Sequence, residues 1–175
     1  MTAFHHIYGE RVVLETFGER DITDAYIGWL NDPEVVRFSN QRFKVHTRES
    51  CRAYLASFAG TSNLFLLVRK RSDGAAIGTM TVYHSPPHGI ADIGIMIGER
   101  SVWGEGYGQD AWNTLLDWLL TQHGVRKVTA GALAGNRGMV RLMERSDMSL
   151  EGVRRAQEIV DGKPDDIVLY ARFAE

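Results

Sequence analysis

The chain has 175 residues, a formal charge of −2, 44% apolar and 24% charged side chains, a balance that suits one globular domain spanning 1–175 and large enough to bury a core. That charge excludes a bulk electrostatic attraction to nucleic acid or to an anionic membrane surface. The single cysteine, Cys51, excludes an internal disulfide and a thiolate metal cluster and fits a reducing cytoplasm; no apolar run has the length of a signal peptide or a membrane-spanning helix.

In chain order, "RVVLETF" reads as a first strand, and the preceding His5 and His6 as terminal surface groups. "DITDAYIGWLNDPEVV" predicts a helix: Asp21 and Thr23 are capping residues, Ala25, Tyr26, Trp29 and Leu30 recur at helical spacing, and Pro33 is a stop. A second helix starts at Thr47, places Cys51, Tyr54, Leu55 and Phe58 on one side, and ends near Gly60. "LFLLVRK" and "AIGTMTVYH" form a hairpin, and after the loop "SPPHG" a fourth strand, "ADIGIMIG", follows. A long helix runs to His123 with Ala111, Trp112, Leu115, Leu116, Leu119 and Leu120 as its apolar face, and Gly124 ends it. "VRKVTAGAL" is the fifth strand, "NRGMVRLMERS" a short helix, and "LEGVRRAQEIV" and "DDIVLYARF" a final hairpin. The sum is a mixed α/β domain with hairpins on either side of a strand, helix, strand unit.

Three glycines, Gly104, Gly106 and Gly108, crowd into five positions between the fourth strand and the long helix. Glycine is costly to order, so such a cluster marks a bend or a close approach that a Cβ would obstruct. A helix start also leaves backbone N–H groups unpaired and carries the positive end of the dipole, which makes it a site for an anion, typically phosphate. A nucleotide P-loop needs Lys and Ser or Thr after its last glycine, where this chain has Gln109 and Asp110. The dinucleotide fingerprint fails as well, because its spacing needs glycine at 109.

The segment "WGEGYG" resembles the pyrophosphate-binding motif of the GNAT acetyltransferases, with Trp103 in the first place as in their RimJ/RimL-type branch. "NRGMVRLMERSDMSLEGVRR" and "YIGWLNDPEV" are similar to two further segments of that branch, in the same order, so the resemblance covers nearly the whole chain. It implies the GNAT acyl-CoA N-acyltransferase fold: a mixed sheet flanked by helices, with the fourth and fifth predicted strands splayed apart after a bulge for which Gly94 and Gly98 are suited. It also implies acetyl-CoA as co-substrate, no metal, and direct acetyl transfer to an amine.

The resemblance assigns roles to particular positions. Trp103, Gly104, Glu105, Gly106, Tyr107, Gly108 and Gln109 would surround the pyrophosphate, Ile97 would bond the pantetheine arm through its backbone, and Asn136 would lie near the coenzyme. Read alone, Asn136 is a helix N-cap, a role compatible with the other. Arg141, more than Arg137, would meet the 3′-phosphate. Asp92 stands where several members of the superfamily carry a glutamate general base; without the resemblance it is an exposed strand carboxylate or the partner of an arginine. For the general acid, Met139 stands where serine is common, and Ser146 is the remaining hydroxyl on that segment; Asp147 and Met148 replace the usual Gly-Phe.

Trp29, Asn31, Asp32, Arg37, Phe38 and Arg42 form the expected acceptor pocket, joined by His84 on the neighbouring loop. His84 and His88 have i, i+4 spacing, but Pro86 and Pro87 rule out the helix that a zinc pair would need. "WLNDPEVVRFSNQRF" resembles the corresponding part of GNAT enzymes that acetylate nucleotide-linked amino sugars, which implies a small-molecule amine of that kind as the leading acceptor. A protein N-terminus of ribosomal type and a non-catalytic coenzyme-sensing module are the alternatives. The C-terminal strand edge offers a surface for a homodimer.

Overall fold

The computed structural model describes Phe4 and residues 6–175; His5 lies outside the described residues. Eight strands, β1 (Ile7–Tyr8), β2 (Val12–Thr16), β3 (Leu64–Lys70), β4 (Ala76–Ser85), β5 (Ile90–Ile97), β6 (Lys127–Leu133), β7 (Ser149–Val160) and β8 (Lys163–Phe173), form one sheet in the order β1-β2-β3-β4-β5-β6-β8-β7. The two-residue β1, which the sequence pattern does not announce, pairs with β2, so the fourth and fifth expected strands are β5 and β6.

The four helices form where local chemistry starts and stops them. In α1 (Asp24–Asn31) the Thr23 hydroxyl accepts from Tyr26 N at 3.2 Å, and Asp32, before Pro33, is already extended. Asp21 is not a cap of this helix: it is buried, and its carboxylate accepts from Gly18 N at 2.9 Å and from Arg69 at 3.0 Å. Ala25 is exposed rather than packed. In α2 (Arg48–Ala56) Thr47 and Ser50 cap one another reciprocally. The long α3 (Tyr107–Thr121) has no side-chain cap, and α4 (Arg137–Glu144) is capped by Asn136, whose Oδ1 accepts from Met139 N at 3.2 Å.

Strand alternation sends side chains to two cores. On one face Trp112, Leu115, Leu116 and Leu119 of α3 and Met143 of α4 pack on Val12, Leu66, Met80 and Val82. On the other, Tyr26, Trp29 and Leu30 of α1 and Cys51 of α2 pack on Phe17, Phe65 and Leu67. Each large apolar side chain so buried contributes about 1.5–3 kcal/mol.

The one parallel junction, β5 with β6, is paired only at Ile90–Lys127, Ala91–Val128 and Asp92–Thr129. Beyond it β5 stays with β4 and β6 stays with β8, so the sheet opens. Within β5 no bulge interrupts the β4–β5 register from Gly78–Ile97 to Ser85–Ile90; the irregularity lies just past the strand, where Gly98 N and Glu99 N both bond Ile77 O, at 2.9 and 3.1 Å. Gly94 in β5 and Gly98 just after it also permit close approach. A Cβ at Gly98 would lie 2.2 Å from the Trp29 ring, and one at Gly94 would lie 3.0 Å from Thr81 Oγ1.

Candidate active site

The glycine-rich loop follows a short 3-10 turn, Arg100–Val102, that Glu99 caps by accepting from Ser101 N at 3.2 Å. Gly104 and Gly106 are left-handed, with φ of 78° and 87°, a region closed to most other residues at low cost. Gly108 has an ordinary φ and lies inside α3, so its value is the space a side chain would occupy. The N–H groups of Gly104, Gly106, Tyr107, Gly108 and Gln109 find no acceptor among the described residues. Glu105 is the exception: its N–H bonds Val102 O at 3.3 Å, its carbonyl accepts from Arg11, and it does not line the cleft. Five unpaired donors at the positive end of a 15-residue helix form a site suited to a diphosphate.

The loop opens into a cleft of about 1080 Å³ that continues between β5 and β6 to the α1–α2 connection. Gly98 N bonds Ile77 O, so by antiparallel alternation the backbone groups of Ile97, Ile95 and Ile93 point to the other edge, into the opening. The Ile97 carbonyl is taken by Trp103 Nε1 at 2.8 Å, which leaves its N–H for a ligand. Trp103 and Asn136 line the cleft, as do Arg141 and Arg145, one helical turn apart and without a carboxylate partner among the described residues. Arg145 was within reach of sequence reasoning through that i, i+4 spacing; Arg137 does not reach the cleft wall.

Asp92 occupies the last β5–β6 pair before the strands part, and Thr129 Oγ1 donates to its carboxylate at 2.7 Å. Its surface is open to solvent, yet protein surrounds enough of the carboxyl for burial to raise its pKa, against the lowering effect of the Thr129 bond. It flanks the cleft without forming part of its wall. No arginine binds it, so its role as the partner of one has no support among the described residues. Ser146 is removed from the general-acid role. It is 3% exposed, accepts from Gln109 Nε2 at 2.8 Å, and its hydroxyl lies 2.8 Å from both Asn113 Oδ1 and Leu142 O. The Gln109 side chain accordingly ties α3 to α4 and to Ser146 just beyond it, and its backbone N–H is left without an acceptor among the described residues. Met139 lines the cleft, whereas Met148 is buried in the core. A hydroxyl that sequence reading treated only as core does line the cleft: Tyr54, whose OH is 3.1 Å from Tyr83 OH and whose pKa is raised by burial, so it stays protonated as a donor.

The expected acceptor residues separate into two groups. Arg37 and Phe38 line the cleft, the Arg37 guanidinium bonding Asp161 at 2.9 Å. Trp29, Asn31, Arg42 and His84 do not. Trp29 is buried against Gly98. Asn31 clamps the backbone of His46, donating to its carbonyl at 2.8 Å and accepting from its N–H at 2.9 Å. Arg42 donates to Ser39 O and Ile159 O and pairs with Glu158. His84 points to the α3 face beside His123, because β4 register places Tyr83 on the cleft side. Asp32 accepts from Glu34 N at 2.9 Å and pairs with Arg100, both of which lower its pKa. Glu34, Lys44 and His46 line the acceptor end instead, and sequence reasoning passed over them because an irregular connection has no periodicity to read.

No group of three or more His, Cys, Asp or Glu suited to a metal occurs among the described residues, and no described helix is long and apolar enough to cross a membrane. Residues 11–149 match the family model of an acetyltransferase (GNAT) domain. The chain is 25% identical over 170 residues, 94% of each chain, to an uncharacterized N-acetyltransferase p20 of Bacillus licheniformis. Among solved structures, it superimposes on spermidine N-acetyltransferase from Vibrio cholerae in complex with CoA and spermine (TM-score 0.82, 15% identity, 94% of this chain and 96% of that one). A ribosomal-protein-S5-alanine acetyltransferase from Vibrio fischeri is equally similar in fold (TM-score 0.83, 16% identity, 98% of each chain).

Proposed function

The chain belongs to the GNAT family and is an acetyl-CoA-dependent N-acetyltransferase, and we propose that its acceptor is a primary amine on a compact small molecule, with an amino sugar as the leading case. The observation that carries this reading is one continuous cleft. It joins five unpaired amides at 104–109 to an acceptor end bounded by residues 34–46 and furnished with the Glu34 carboxylate, which has no cationic partner among the described residues. Arg37 and Arg42 bond Asp161, Ser39, Ile159 and Glu158, which leaves Glu34 as the carboxylate for the amine and Lys44 as the cation for any acidic group the acceptor carries.

The loop amides hold the diphosphate, with Arg141 and Arg145 near for the remaining phosphate. The amine arrives protonated, with a pKa of about 10 if lysine-like, and docks by charge against Glu34. Its proton passes through water to Asp92, a better base than an ordinary aspartate because burial raises its pKa. The free amine nitrogen then attacks the thioester carbonyl, the C–N bond forms and the C–S bond breaks. The inward N–H groups of Ile93 and Ile95 stabilise the oxygen that gains charge. As the amide forms, the attacking nitrogen sheds its second proton, which is relayed through water to the departing thiolate, of thiol pKa about 8.5.

A protein N-terminus is the second reading, favoured by Phe43 and Val45, which are 72% and 85% exposed on either side of the cleft-lining Lys44 and would suit a peptide laid across the rim. Thiol release from acetyl-CoA over a panel of amino sugars, polyamines and peptides with free N-termini separates the two. The small-amine reading predicts a kcat/KM at least tenfold higher for a small amine than for any peptide, and the reverse order contradicts it.

A further inference from the structure

The turn between β1 and β2 is locked onto the first turn of α3 by one carboxylate. Asp110 Oδ1 accepts from Glu10 N at 3.1 Å, and its Oδ2 accepts from Arg11 N at 2.8 Å and Val12 N at 3.0 Å. The approach is so close that a Cβ at Gly9 would lie 2.5 Å from Thr114 Oγ1 and 2.7 Å from Asp110 Oδ2. Arg71 grips the turn from its other side, donating to Gly9 O at 2.8 Å.

The turn so fixed delivers Arg11 to the glycine-rich loop. Its guanidinium carbon lies 4.1 Å from the Tyr107 ring centroid, and its Nη1 donates to the Glu105 carbonyl. Gly104 and Gly106 are both left-handed, and a Cβ at Gly104 would meet nothing within 4 Å, so the loop has little packing of its own to keep its amides convergent. A carboxylate in the first turn of α3 would by itself oppose a bound anion. Asp110 is instead directed into three amides of the β1–β2 turn, while the cation it helps to place adjoins the site.

We infer that Arg11 is a positioning residue for the diphosphate of the acetyl donor: it fixes the 104–109 amides in their converging arrangement before the ligand arrives and adds positive charge beside them. The inference rests on the reading of this loop as the diphosphate site.

Arg11→Met keeps an apolar stem over Tyr107 and removes the guanidinium, and Arg11→Lys restores a charge and one donor. Steady-state kinetics with acetyl-CoA and with S-acetyl-pantetheine, which lacks the diphosphate, is measured beside a coenzyme A titration. The expected result is a roughly tenfold rise in KM for acetyl-CoA and in Kd for coenzyme A in Arg11→Met, at unchanged kcat and unchanged kcat/KM for S-acetyl-pantetheine. Arg11→Lys should fall between Arg11→Met and wild type. Equal KM values in wild type and both variants, or equal losses on both donors, would overturn the assignment while leaving the loop reading intact. Failure of the wild-type protein to bind coenzyme A would remove the loop reading and the assignment with it.

Discussion

At Asp92 the burial that makes the carboxyl a stronger base also works against the stability of the fold. Its pKa lies above the ordinary 3.8 because desolvation penalises the charged form. The group's favourable contribution is therefore complete only below the unfolded-state pKa and is lost as pH rises through the folded-state value. Asp92→Asn is expected to raise Tm at neutral pH, with the gain shrinking toward pH 3, and to lower kcat. It should also remove an acidic limb of the kcat profile that in wild type falls above the usual aspartate range. A mutant with an unchanged profile would take Asp92 out of the proton path. Asp92 drew attention only through the family resemblance, since its own pattern is that of a strand carboxylate. The burial of Ser146 was not legible, since its partners Gln109 and Asn113 lie on another helix.

Between elements, the decisive arrangement is the strap formed by the α1–α2 connection and the β7–β8 hairpin. Arg37 bonds Asp161 at 2.9 Å, Asn40 bonds Glu158 at 3.4 Å and Arg42 donates to Ile159 O at 3.0 Å, all across more than a hundred residues of sequence. The exposed Arg37–Asp161 pair contributes about 0–1 kcal/mol, so the strap serves mainly to shape the acceptor end. The Asp161→Asn, Glu158→Gln double variant is expected to raise KM for the amine several-fold while KM for acetyl-CoA and Tm change little. Asp161 has a φ of 49°, a conformation that Asn tolerates, so the variant removes charge without straining the turn. A parallel rise in both KM values would contradict the separation. Helices and strands here were readable from periodicity and caps, as with Thr23 and Thr47. Which residues of the irregular connection face the cleft was not, because Glu34, Lys44 and His46 are placed by bonds such as the Asn31 clamp on His46.

For the molecule as a whole, function follows from a sheet that opens at a single parallel junction and a helix that starts at the mouth of the opening. The order of strands and helices in the sequence carried that architecture, and the glycine cluster marked the bend whose amides find no acceptor among the described residues. Two features were hidden. Gly94 and Gly98 suggest a bulge in sequence, but Gly94 lies in a regular part of β5, the irregularity is confined to Gly98 past its end, and the approaches to Thr81 and Trp29 have no local signature. The clasp of Asp110 on the β1–β2 turn joins residues 98 to 100 positions apart and leaves no local signature. The central claim is that the unpaired amides of Gly104, Gly106, Tyr107, Gly108 and Gln109 hold the diphosphate of the acetyl donor. Backbone amide NMR during titration tests it most directly. The account predicts large shifts of these five resonances with coenzyme A and small ones with pantetheine, and five resonances unmoved by saturating coenzyme A would contradict it.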